Sequence, residues 1–272
     1  VMQRKGGEEA RRFTGNLLSL MVIILTALTA AGVVFAPLLI RVIALGFDPS
    51  SEVFRTTVML TRWMLPYMVF ICVAALFMGV LNSHDHFLFP AAAPILLNLS
   101  IILFALVLSP ALDRPILALA WGVLFGGLLQ MAAQYSPMRG LKVAPVPRRP
   151  RLSPEIRRVS VMMGPAVLGV AIYQVNILVD TILASFLPRG SISYLWYGNR
   201  MMQFPLGVFG VALATAALPT LSRQIADNRK EDFRNTVSFA VGLTAFIGFP
   251  AALGLMGIRE PIMATLFGRG AF

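Results

Sequence analysis

Long apolar runs alternate with short polar breaks along almost the whole chain. Runs at about 17–40, 64–81, 88–108, 116–135, 159–187, 192–221 and 237–258 come close to the roughly 20 apolar residues that a helix needs to cross a bilayer. They are far longer than the roughly 10-residue alternating strands of a membrane barrel. The pattern therefore predicts an all-α integral membrane protein, a polytopic bundle of about seven transmembrane helices.

One stretch breaks the apolar rule in an informative way. Residues 173–222 read as two long apolar helices joined by a Pro188-Arg189-Gly190 turn, with Asp180 inside the first helix and Arg200 inside the second. An ionisable group in an apolar span costs roughly 2.5–3.5 kcal/mol on insertion scales, unless it faces water or a partner. At about 1.5 Å of rise per residue, Asp180 lies roughly 12 Å and Arg200 roughly 15 Å from the turn, so the two charges sit at similar depth. Tyr173 and Asn176 share a helical face with Asp180, and Ser193, Gln203 and Gly207 share one with Arg200. These stripes suit a shared water-accessible surface. They equally suit a structural ion pair between helices, with the glycines and alanines serving close packing. The two readings are compatible if the pair rearranges.

Composition agrees with the pattern. Hydrophobic residues make up 57% and charged residues 13%, against roughly 25% charged in a soluble domain. A net charge of +11 would suggest nucleic acid in a soluble protein, but here the basic residues sit mostly in short loops and point to membrane orientation. Seven crossings place loops 2–12, 82–87, 136–158 and 222–236 on one side with fifteen Lys/Arg, against seven on the other. The positive-inside rule makes the richer side cytoplasmic. Cys72, alone of its kind and inside an apolar run, reads as a packing residue. The His84-x-His86 pair lacks a third ligand and reads as a loop capping a helix, with no metal expected.

Residues 137–158 are rich in proline and arginine, which excludes a span there and suggests either a solvated linker or a surface for anionic headgroups. The chain then divides into 1–136 with four spans, the basic cytoplasmic linker 137–158, and 159–272 with three. An internal repeat supports two bundles: Glu8-Glu-Ala-Arg11 resembles Glu231-Asp-Phe-Arg234 at an offset of 223, and Pro37 matches Pro261 at 224. Prolines within spans, among them Pro165, Pro205, Pro219 and Pro250, predict kinks. Because the chain begins at Val1 and stops at Phe272, an internal piece of a longer protein is expected.

The run Gly198-Asn-Arg-Met-Met-Gln-Phe-Pro-Leu-Gly-Val-Phe-Gly210, with Met163-Gly-Pro-Ala166 and Asp180-Thr-Ile-Leu-Ala-Ser-Phe186, resembles the MurJ (MviN) family of bacterial lipid II flippases. So does Pro66-Tyr67, followed by Leu81-Asn82 and Phe87-x-x-Pro-Ala-x-x-Pro-x-Leu-Leu-Asn98. The resemblance implies two helical lobes of a roughly 14-helix exporter working by alternating access in the bacterial inner membrane. Its substrate would be lipid II, the undecaprenyl diphosphate-linked muropeptide. Arg200 matches a family cavity arginine and Ser193 a small polar cavity position, while Gln203 stands where some relatives have an acid and Asp180 where some have an amide. With Asn199 beside Arg200, these give an expected substrate-binding set of Arg200, Ser193, Gln203 and Asn199, and a gating or ion-pair set of Asp180 and Asn176.

The chemistry is consistent on its own terms, because arginine's planar fork binds diphosphate oxygens bidentately. Two alternatives stay open. A related exporter could carry another lipid-linked oligosaccharide or drugs on the same fold. A membrane-embedded enzyme acting on polyprenyl phosphates would need clustered acids, and the twelve acids here are scattered. No Walker-type run is present, so no cofactor or nucleotide is expected; the partners expected are lipid II and the bilayer, not nucleic acid.

Overall fold

The computed structural model describes residues 7–141, 143–146, 149–151 and 153–268. Of the basic residues used for orientation, Arg4, Lys5, Lys142, Arg148 and Arg269 lie outside these. The described residues are helical with no strand, and seven helical stretches are long and apolar enough to cross a membrane. The chain divides into two compact units, Val1–Leu187 and Pro188–Phe272. This boundary lies after the fifth span, whereas the sequence places the division at 137–158.

The first unit opens with α1 (Gly7–Val34), followed after a single-residue break at Phe35 by the short α2 (Ala36–Ile43). The second span is longer than its apolar run: α3 (Glu52–Met64) and α4 (Tyr67–Asn82) run on through a break at Leu65-Pro66, with Ser51 capping α3 by accepting from Phe54 N. Arg55 and Arg62 make this stretch look like a loop in sequence. The structure accommodates Arg62 by letting its Nε donate to the Val33 carbonyl, 3.1 Å away, at the end of α1. A polar side chain that reaches a helix-end carbonyl meets that carbonyl's unfilled hydrogen-bonding capacity.

Helices α5 (Leu88–Val107) and α6 (Ile116–Gly140) form the closest pair. A Cβ at Gly126 would stand 2.8 Å from Leu97 Cδ1, and one at Gly127 2.6 Å from the Tyr67 ring of α4. Ser100 Oγ donates to the Gly122 carbonyl at 2.7 Å, and Gln130 Nε2 to the Ala93 carbonyl at 2.8 Å, both buried. Small residues let the backbones approach, and the approach brings these polar groups within reach.

Two apolar clusters close this unit. One joins Leu18, Val73, Phe77, Leu81, Met138 and Ala144, and so binds the early part of α1 to the later turns of α4 and α6. The segment after α6 belongs to it. Ala144 and Pro145 are buried, Asn16 and Arg151 exchange two hydrogen bonds (Nδ2 to the Arg151 carbonyl, 2.6 Å; Arg151 N to Oδ1, 2.7 Å), and Gly15 leaves no room for a Cβ beside the Val146 carbonyl. The described part of the proline-rich segment is a strap fastened to α1. Proline supplies rigid extended backbone, and with no ladder to join, the strap's hydrogen bonds divide between the Asn16 side chain and backbone carbonyls, Val143 N and Ala144 N both donating to the Met138 carbonyl. The second cluster, Ala36, Ile40, Ala44, Phe54 and Val58, packs α2 on α3. Nearby, Gly46 N donates to Ser185 Oγ at 2.9 Å, tying α7 (Pro154–Ser185) to the loop after α2.

The second unit contains α8 (Ser191–Pro205), a π-helical turn (Leu206–Val211), α9 (Ala212–Ala226), α10 (Lys230–Gly257) and α11 (Arg259–Phe267). The expected kink at Pro205 takes the form of this π turn, because proline withdraws a donor and widening the turn re-registers the ladder around it. Gln224 Nε2 donates to Thr236 Oγ1 at 2.9 Å and joins the α9–α10 hairpin near its turn. Farther along, the two sides diverge around an apolar cavity of about 890 Å³, lined by Met201, Leu206, Leu213, Ile247 and Ala251, with Arg259 on its wall.

The sequence repeat has a helical counterpart. α1 and α10 are both 28 residues long and start 223 positions apart; each is followed by a one-residue break and a short helix carrying a proline in its first turn, Pro37 or Pro261.

Candidate functional site

Arg200 sits in the third turn of α8. The helix begins at Gly190, whose φ of +96° is the left-handed conformation that only glycine adopts at little cost. That conformation closes the turn, with Ser191 N donating to the Pro188 carbonyl at 3.2 Å and Tyr194 N to the Gly190 carbonyl at 2.9 Å. The turn and the register of α8 therefore stand as the sequence predicts, and they fix which side chains share the face of Arg200.

Its immediate partners lie on the same helix. The guanidinium carbon is 4.9 Å from the centroid of the Trp196 ring, one turn earlier, and Nη1 donates to Gln203 Oε1, 3.4 Å away, one turn later. Positions i−4 and i+3 fall on one helical face, so the arginine is bracketed by an aromatic face below and an amide oxygen above. Trp196 meets Tyr197 edge-on at 5.2 Å, and Tyr197 packs at 4.5 Å on Phe267 of α11. A cavity of about 550 Å³ opens beside them, lined by Trp196, Arg200, Phe204, Ile262, Leu266 and Phe267.

Arg200, Gln203, Asn199 and Ser193 are all exposed, and among the described residues of this unit no carboxylate pairs with Arg200. Of its five in-plane N–H donors, the one on Gln203 makes a long bond; the others remain available to an anion. The arrangement is a polar stripe on α8 that holds a cation and offers a donor fork.

Asp180 and Asn176 belong to α7 in the first unit, Asn176 exposed and Asp180 partly buried, one turn apart on one face. His84 and His86 have local partners: His84 Nδ1 lies 2.9 Å from the Val80 carbonyl and His86 Nδ1 2.7 Å from that of His84, around an Asp85 with φ +59°. These bonds close the C-terminal end of α4, whereas α5, which the loop was expected to cap, has no side-chain cap at Phe87. Trp196 is the residue that the sequence reading passed over. An aromatic at i−4 from a charge within a span was the available signal.

A family model described as "Lipid II flippase MurJ" matches residues 2–272. A probable lipid II flippase MurJ of Haemophilus influenzae is 35% identical, over 97% of this chain and 54% of the relative. A lipid II flippase MurJ of Burkholderia cenocepacia is 33% identical, over 99% of this chain and 53% of the relative. A solved structure of a lipid II flippase MurJ in an inward closed conformation superposes with a TM-score of 0.78 at 26% identity, covering 100% of this chain and 55% of that one.

Fold and site together define a multi-pass helical membrane protein that displays a guanidinium within a span. The chain belongs to the MurJ family of lipid II flippases. It spans about half the length of the curated relatives that it matches.

Proposed function

We propose that the protein to which this chain contributes moves lipid II from the cytoplasmic to the periplasmic leaflet of the bacterial inner membrane, as a transporter and not an enzyme. The observation that carries this reading is the exposed Arg200 fork on α8, in a chain of the MurJ family. A diphosphate matches that fork in charge and geometry, and a low-dielectric cavity strengthens the attraction. In this reading Ser193, Asn199 and Gln203 bind polar groups of the same headgroup. Asp180 and Asn176 gate access, with Asp180 pairing to Arg200 in one state of the cycle. Residues 1–136 and 159–272 contribute to two lobes whose alternating closure changes the open side. The basic loops face the cytoplasm, and the π turn after Pro205 is where α8 bends.

The test is Arg200→Ala in the complete gene, expressed in a bacterium depleted of its own flippase. Loss of complementation with unchanged membrane insertion is the expected result, and normal growth would overturn the reading. For the gate, Asp180→Arg combined with Arg200→Asp should restore more activity than either single change; no recovery removes the direct pair.

A further inference from the structure

Binding at Arg200 needs more than its charge, because an arginine side chain loses about 2 kcal/mol of rotamer entropy when it is held in one place. The structure contains a device that meets part of this cost before any ligand arrives. We propose that Trp196 is a positioning residue: its ring holds the Arg200 guanidinium in place by cation–π attraction, while N–H groups of the guanidinium bind a diphosphate. This inference rests on the reading given above, that Arg200 binds a diphosphate headgroup.

Three observations carry it. The guanidinium carbon lies 4.9 Å from the ring centroid, inside the roughly 6 Å within which a cation is attracted to an aromatic face. A guanidinium carries five N–H donors, and with one bonded to Gln203 it keeps others for phosphate oxygens while its cation rests on the ring. The ring itself is braced. Trp196 meets Tyr197 at 5.2 Å with planes 84° apart, and Tyr197 packs on Phe267, so the surface under the arginine is tied to α11. Gln203 contributes from the other side, where its oxygen accepts from Nη1 and sets the rotation of the fork.

The arrangement makes a specific demand on position 196. Fluorine atoms on the indole withdraw charge from the ring face while hardly changing its shape, so they weaken a cation contact and leave packing intact. The full-length protein, reconstituted in nanodiscs, is titrated with undecaprenyl diphosphate after Trp196 is replaced by mono-, di- and trifluorinated tryptophans, with Trp196→Phe, Trp196→Leu and Arg200→Ala in parallel. Affinity should fall stepwise with each fluorine, reaching about two- to fivefold for Trp196→Leu, with Trp196→Phe between. A flat fluorination series beside a large loss in Arg200→Ala would overturn the positioning role and leave the diphosphate reading standing. Unchanged affinity in Arg200→Ala would overturn both. Since Trp196 is 54% exposed, the fluorinated series does not depend on core packing and stays informative even if Trp196→Leu inserts poorly.

Discussion

The α5–α6 pair of the first unit and the α9–α10 pair of the second are built from similar material, apolar helices dotted with glycine and alanine, yet they differ in what those small residues do. On α6, Gly122, Gly126 and Gly127 are pressed against backbone or side chains of α5 and α4, and the span has a third of its most apolar window buried. On α10, Gly242, Gly248, Gly254 and Gly257 have nothing within 4 Å of where a Cβ would stand, and none of the corresponding window is buried. Glycine within a span is therefore no measure of close packing. Packing follows only where the glycines of one helix meet a side chain that fills the space they leave.

The largest expected effect is at the tightest of these contacts. Gly127→Leu should destabilise the protein by about 1–3 kcal/mol, since the new side chain collides with the Tyr67 ring and the Phe70 Cβ. Thermal unfolding in detergent reads this as a lowered midpoint, and an unchanged midpoint would mean that the α4–α6 contact is looser than it looks. Ser100→Ala removes the buried bond to the Gly122 carbonyl and should cost about 0.6–1.7 kcal/mol by the same assay. A smaller, local effect is expected at the strap. Asn16→Ala deletes both bonds to Arg151 and should speed hydrogen exchange of the Arg151 amide by about three- to tenfold, with little change in overall stability. At the far end of the scale, Gly248→Ala should not lower the midpoint at all. Alanine fits the open space and favours the helix by roughly 0.5–1 kcal/mol over glycine. If Gly248→Ala were as harmful as Gly127→Leu, the contrast between the two pairs would fail.

The sequence made some of this legible and not the rest. All seven spans are present, and of the prolines expected to kink them Pro205 adjoins a π turn, while Pro165, Pro219 and Pro250 lie within uninterrupted helices. The helix over Glu52–Met64 was hidden, because hydropathy scores Arg55 and Arg62 as solvent-seeking and cannot know that a carbonyl on α1 receives one of them. The strap after α6 was hidden for the converse reason. Its prolines and arginines have the composition of a free linker, while Gly15 and Asn16, more than a hundred positions earlier, supply the seat that fixes it. On α8, periodicity placed Ser193, Gln203 and Arg200 on one face, and the same arithmetic covers Trp196. The ring was passed over because an aromatic in an apolar span looks like ordinary lipid-facing bulk until its distance to the guanidinium is known.

By itself, then, the order of residues determined that the chain crosses a membrane as helices, how many such crossings there are, and that an arginine lies in mid-span. These follow from local sums: enough apolar surface per turn, and a backbone whose hydrogen bonds must close within the segment where water is absent. Only the tertiary structure decided which glycines touch a neighbour, that the basic segment is strapped down, and that Arg200 lies over an indole. Those depend on distances between groups whose separation along the chain says nothing about their separation in space, and dispersion and cation–π attraction fade within a few ångströms.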